Sequence, residues 1–247
     1  MPFKSDKVSY GLPTDGFNQS LIRDYIEDLK NTIGLTREIV GVKLFFDKEE
    51  YDACKVPTIK GKVSYCIMVE RATRGHACKS TLENHNCDGG TTALGLERST
   101  HEIESGQVYF SYNLYASNAV ARRMRKAVMG LHREEALTYG LLVQPLKDFE
   151  VVPDVVIILG NSFHSMRLLQ GYVYNTGVKA SLDCKAMQAI CSECTTVPYM
   201  TNEMNISTLC PSTRMLCKWK QEELAIGIPY EKFEETVKGV MATQLEY

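Results

Sequence analysis

Residues 140–177 read GLLVQPLKDFEVVPDVVIILGNSFHSMRLLQGYVYNTG. Two runs rich in branched apolar residues, 140–146 and 154–159, predict strands. Pro153 marks the turn before the second. Pro145 has no amide hydrogen to give to a ladder, which predicts that the first strand lies at an edge or ends early. Gly160–Asn161–Ser162 then opens a helix closed by Gly177. A buried strand running through a tight turn into a helix N-terminus is an arrangement that binds anions with backbone amides. Gly160 and Asn161 are therefore candidate binding residues, next to the plainer reading of a capped turn. The turn is neither G-x-G-x-x-G nor a P-loop.

Outward from this stretch the chain keeps alternating helix and strand signals. Residues 15–33 place Phe17, Leu21, Tyr25, Leu29 and Ile33 on one helical stripe, with Thr14 or Asp15 as the cap and Gly34 as the stop. IVGVKLFF, 39–46, predicts a strand, and the charged segment after it a short helix or loop. Residues 63–74 run from a possible strand into an apolar-faced helix, with Cys66 near the junction. The polar segment GHACKSTLENHNCDGGTTALGL, 75–96, predicts a long exposed or site-building loop. Residues 117–129 predict a helix capped by Ser117, whose Arg122, Arg123, Arg125 and Lys126 read as a solvated face. LAIGIPY and residues 230–242 predict a last strand and helix. The expected fold is α/β: a single compact mixed α/β domain over residues 1–247, core about 15–242, with helices packed on a mixed sheet.

A net charge of −2 excludes a basic nucleic-acid binder on global charge. No apolar run reaches the roughly 20 residues of a membrane span, and MPFKSDKVSYG has no signal-peptide core. The expected location is the cytoplasm, where thiols stay reduced. There, nine cysteines argue for metal, cluster or redox use, or for simple burial, rather than for disulfides.

Five of the nine fall in CKAMQAICSECTTVPYMTNEMNISTLCPSTRMLC, 184–217. Cys191 and Cys194 form a C-x-x-C pair, a spacing at which two thiolates can share one ion. Cys210 precedes a proline, which predicts extended backbone over 208–210. His76–Cys78 and His85–Cys87 repeat H-x-C without completing a zinc spacing. Gly89 and Gly90 would let the backbone approach a bound group closely. No serine triad, H-E-x-x-H or complete nucleotide fingerprint is present.

The order of GVKLFF, YCIMVERATRG, NCDGGTTALGL, PDVVIILGN, ICSE, NISTLCPSTR and ELAIGIPYE resembles the Domain of Unknown Function 169 family over roughly residues 18–242. The resemblance implies an uncharacterised protein of anaerobic archaea and bacteria. It also implies cysteines at four family positions: Cys66, Cys87, Cys191 and Cys210. The family's tail after the last cysteine keeps an arginine, here Arg214, but Thr213 stands where the family carries glycine. On this reading thiolates from loops of both halves meet, enough to hold a [4Fe–4S] cluster or a structural zinc. Cys194 is a possible additional ligand.

Three functions follow as expectations. The first is an iron–sulfur redox protein that transfers electrons or reduces a small molecule, with Arg214, Gly89 and Gly90 tuning the cluster or binding a substrate anion. The second is a zinc-stabilised accessory protein. The third is a metal-free module that binds a small anion at Gly160–Asn161. The partners expected are a redox protein or a small anionic substrate, with neither nucleic acid nor membrane. The oligomeric state is left open, a homodimer among the options.

Overall fold

The computed structural model describes residues 17–131 and 137–243. The helix expected from residue 15 is α1 (Gln19–Ile33); its cap is Asn18, whose side chain accepts from the Leu21 amide. Thr14 and Asp15 lie outside the described residues. Gly34 ends the helix in the left-handed region (φ 72°), as its lack of a Cβ permits. After β1 (Val40–Phe45) come α2 (Lys48–Ala53) and α3 (Tyr65–Ala72). The segment expected to be a long loop is instead β2 (Cys78–Thr81), a 3₁₀ turn and α4 (Asp88–Ala93). Its alternating small and polar residues hide the strand, because Lys79 is buried and satisfied: its ammonium donates to the Tyr51 and Cys54 carbonyls.

The chain continues through α5 (His101–Glu104), α6 (Gln107–Ser111) and α7 (Asn118–Ala127). Ser117 caps α7 as expected. Three of the four basic residues there are exposed, but Arg125 is fully buried and paired with Glu104 at 2.7 Å, so the solvated-face reading fails for it. Then follow β3 (Gly140–Pro145), β4 (Val155–Gly160), α8 (Ser162–Val173), α9 (Val197–Thr201), β5 (Asn205–Ser207), α10 (Pro211–Cys217), β6 (Leu224–Pro229) and α11 (Tyr230–Ala242).

The strands form one six-stranded sheet in the order β2-β3-β1-β4-β6-β5. Every pair of strands in it is antiparallel, where the sequence suggested a mixed sheet. The continuous apolar runs along its strands follow from burial. Both faces of this sheet are buried, so both sets of alternating side chains must be apolar. Pro145 ends β3, but β3 is interior, flanked by β2 and β1.

Along β4, Val155, Ile157 and Leu159 join one core and Val156 and Ile158 the other. The second core is closed by α1, α8 and α11, which bring Ile22, Ile26, Leu29, Ile33, Leu168 and Val237 onto the sheet. Helices α8 and α11 touch backbone to backbone: a Cβ on Gly239 would lie 2.2 Å from the Gly171 carbonyl oxygen. The first core is closed by α3, α4, α10 and a π-helix, Ala189–Thr196. The π-helix backbone rests directly on the sheet at Gly227, where a Cβ would meet the Cys194 carbonyl oxygen at 2.3 Å.

Candidate thiol site

Helix α3 packs on α10 and on the π-helix, and the π-helix packs on α4. Each of these four elements carries one cysteine of the family pattern. Cys66 is the second residue of α3, Cys87 the N-cap residue of α4, and Cys210 the N-cap residue of α10. Cys191 lies inside the π-helix. Charge on Cys66 and on Cys210 acts on Cys87, and charge on all three acts on Cys191. The four thiols thus share one place on one face of the sheet, two from each half of the chain.

The thiols differ in character. Cys66 is pulled down to about 6, chiefly by the hydrogen bond from the Cys217 thiol; burial opposes this, and Ser64 and Thr213 add to it. Cys217 is correspondingly held as a thiol, its pKa raised first by Cys66 and then by burial. Burial pushes Cys87 up to about 11, against the Gly90 amide that favours its thiolate. Burial raises Cys191 further, with the neighbouring thiols adding. Cys210 Sγ lies 3.1 Å from the hydroxyl of Thr213, the residue that stands in for the family's glycine. The groups that shift these thiols are other thiols, hydroxyls, amides and carboxylates, so several thiolates together here would repel one another without a cation to offset them. Among the described residues no three His, Cys, Asp or Glu side chains close on one point tightly enough to hold a metal ion.

The π-helix is held by its own hydroxyls. Ser192 donates to the Met129 carbonyl at 2.8 Å, Thr196 to the Ala93 carbonyl at 2.8 Å, and the Tyr65 hydroxyl meets that of Thr195 at 2.9 Å. Glu193, fully buried, accepts from the Lys185 amide and the Ser207 hydroxyl. These side chains have no metal-site signature in the sequence, and their part is visible only once the helix is in place. The π-helix also separates the C-x-x-C pair. Its i→i+5 bonds widen the turn, so positions three apart do not share a side as they nearly do on an α-helix. Cys191 is raised first by burial and then by the other three thiols; Cys194 is raised first by burial and then by Glu193 and Cys184, with Ser207 opposing. The three thiols that act on Cys191 are not among the groups that chiefly shift Cys194.

The remaining candidates fall elsewhere. Gly90 lies beside Cys87, a Cβ there coming 3.6 Å from its sulfur, while a Cβ on Gly89 would meet the Tyr109 hydroxyl at 3.0 Å and Gln188 Nε2 at 3.2 Å. Arg214 donates to the carbonyls of Lys220, Thr208 and Glu223 and so clamps the turn around α10. Extended backbone was expected over 208–210, but Leu209 is left-handed (φ 68°). At Gly160–Asn161 two amides of the turn are already used. The Asn161 amide donates to His164 Nδ1 at 3.0 Å, and the His164 amide to Asn161 Oδ1 at 3.1 Å. That turn opens α8 on the opposite face of the sheet from the thiols. His85 is buried and neutral, its ring 2.9 Å from the Ser80 hydroxyl and its pKa lowered by burial to about 4. His76 and Cys78 line an open groove of about 380 Å³ with Arg71 and Pro57; none of the four thiols lines it.

The fold is that of an α/β protein with an antiparallel sheet, and four cysteines from both halves of its chain lie on one face of it. The chain belongs to the Domain of Unknown Function 169 (DUF169) family, described as uncharacterised ArCR, whose model matches residues 28–239. It is similar to an uncharacterized protein of Methanocaldococcus jannaschii, 25% identical over 221 residues that cover 89% of this chain and 93% of the relative. No solved structure matches it. No helix among the described residues is long and apolar enough to cross a membrane.

Proposed function

We propose that this protein is an iron–sulfur redox protein of anaerobic metabolism, with Cys66, Cys87, Cys191 and Cys210 as ligands of a [4Fe–4S] cluster. The observation that carries this reading is that four thiols from four separate elements, Cys191 buried and the other three half-buried, lie within electrostatic reach of one another. When bound, such a cluster supplies one-electron transfer, either to a partner protein or to a small substrate. The donor set fits it. A closed zinc site needs four sulfurs about 2.3 Å from one ion, and the described side chains do not close on one point. A cluster spreads its ligands over four irons and takes one thiolate at each, which suits thiols within electrostatic reach but not gathered at a point. The low pKa of Cys66 supplies one thiolate near neutral pH. Cys87 and Cys191, both raised by burial, lose their protons only when a metal group is there to receive them.

Purification without oxygen, followed by iron, sulfide and zinc determination, tests this directly. Brown protein with about four irons and four sulfides per chain is the expected result. Serine at any of the four positions should lose most of the iron, because a hydroxyl is a poor ligand for a soft centre. Cys194→Ser should keep it. One zinc per chain and no iron would make the site structural. Colourless protein with neither metal would overturn both readings.

A further inference from the structure

Tyr109 lies on α6, outside the family's cysteine elements, with its side chain turned inward and buried. Its hydroxyl has no hydrogen-bond partner among the described residues. Buried hydroxyls are nearly always paired, so an unpaired one points to a group not built from the chain's own atoms. The place it occupies is well defined. It lies 3.0 Å from the point a Gly89 Cβ would fill, and the equivalent point on the next residue, Gly90, lies 3.6 Å from Cys87 Sγ. A phenol titrates at about 10, so the group carries its proton at neutral pH. The hydroxyl is therefore a donor, held against Gly89, and Gly90 next to it abuts Cys87.

Gln188 marks the other side of the same space. It takes the left-handed region (φ 53°), a conformation a glutamine adopts at a cost, and its Nε2 donates to the Gly89 carbonyl. Its Oε1 is buried without a partner among the described residues. The two side chains frame Gly89, and Gly89 has no Cβ to fill the space between them.

We propose that the Tyr109 hydroxyl is a hydrogen-bond donor to the sulfur of the group held by Cys87 and Cys191, positioned across Gly89 to tune that group's potential. This rests on the iron–sulfur reading above. A donor aimed at sulfur stabilises the more negatively charged, reduced state, and so raises the reduction potential. Tyr109 is then a positioning residue that acts on the redox equilibrium without ligating iron.

The test is Tyr109→Phe in full-length protein purified without oxygen, read by iron content and by a potentiometric titration of the visible absorbance. Iron should match the wild type, because phenylalanine removes a single unpaired oxygen. The midpoint potential should move to a more negative value. Gly89→Ala, which crowds the hydroxyl from the backbone side, should move it the same way by less and provides a second arm if the first variant folds poorly. Iron-loaded variants with an unchanged potential would overturn the tyrosine's role alone. Wild-type protein that carries no iron–sulfur cluster would overturn that role together with the cluster.

Discussion

One face of the sheet is closed by α1, α8 and α11, the other by α3, α4, α10 and the π-helix. The first is made of helices of 12 to 15 residues with regular apolar stripes, locked where Gly171 and Gly239 bring two backbones together. Arg167 finishes it, donating at 3.0 Å to the Val240 and Thr243 carbonyls at the end of α11. The second face is made of short helices joined by bends. Ala186, Gln188, Asn202, Leu209 and Lys218 all adopt positive φ there without being glycine. Such conformations cost about 1–2 kcal/mol each and persist only when the surroundings enforce them. The regular face supplies stability and the strained face holds the thiols. Strain gathered beside a candidate site, and absent from the helices opposite, is what a scaffold supporting a functional layer would show.

This contrast can be broken first by crowding each face at one glycine. Gly239→Val drives a side chain into the Gly171 backbone and should cost about 3 kcal/mol or more, or prevent folding. Gly90→Ala places its Cβ at ordinary contact distance from Cys87 and should change stability by less than about 0.5 kcal/mol. Urea denaturation of the two variants decides it; equal losses would mean that the faces do not differ in tolerance.

Acid should weaken the thiol face. His85 is held neutral in the folded state, with a pKa near 4, against about 6.5 unfolded. Its full contribution is present above pH 6.5 and is lost as pH falls towards 4, because the unfolded chain binds the proton first. The loss approaches about 3 kcal/mol across that window. His85→Gln should flatten the fall in urea midpoint between pH 7 and 5, and an equally steep fall in the variant would assign it to other groups.

The smallest effect sharpens the account of strain. Ala186→Gly should raise stability by up to about 1 kcal/mol, since glycine accepts φ 53° without the Cβ clash. Its looser unfolded chain offsets part of the gain. A loss in thermal midpoint would show that position 186 is not strained.

The helix-covered face was legible along the chain. The spacing of Ile22, Ile26, Leu29 and Ile33, the branched runs of β1, β3, β4 and β6, and the apolar stripe of α11 each carry a local period that survives into the fold. Local period fails for β2, where Lys79 sits buried because two distant carbonyls receive its ammonium. At Gly160–Asn161 it could not show that the His164 side chain three residues on pairs with the Asn161 amide.

For the thiol site, the family pattern named four cysteines, while their convergence depends on packing between elements far apart in the chain. The C-x-x-C spacing pointed to Cys194 because i and i+3 nearly share a face in an α-helix. The hydroxyl network of Ser192, Thr195 and Thr196 instead accompanies a π-helix in which they part. Apolar period is a property of neighbouring residues and can be read along the chain. A buried hydroxyl left unpaired among the described residues, against Gly89 and Gln188, arises from residues some 20 to 100 positions apart, so it takes form only when the fold brings them together.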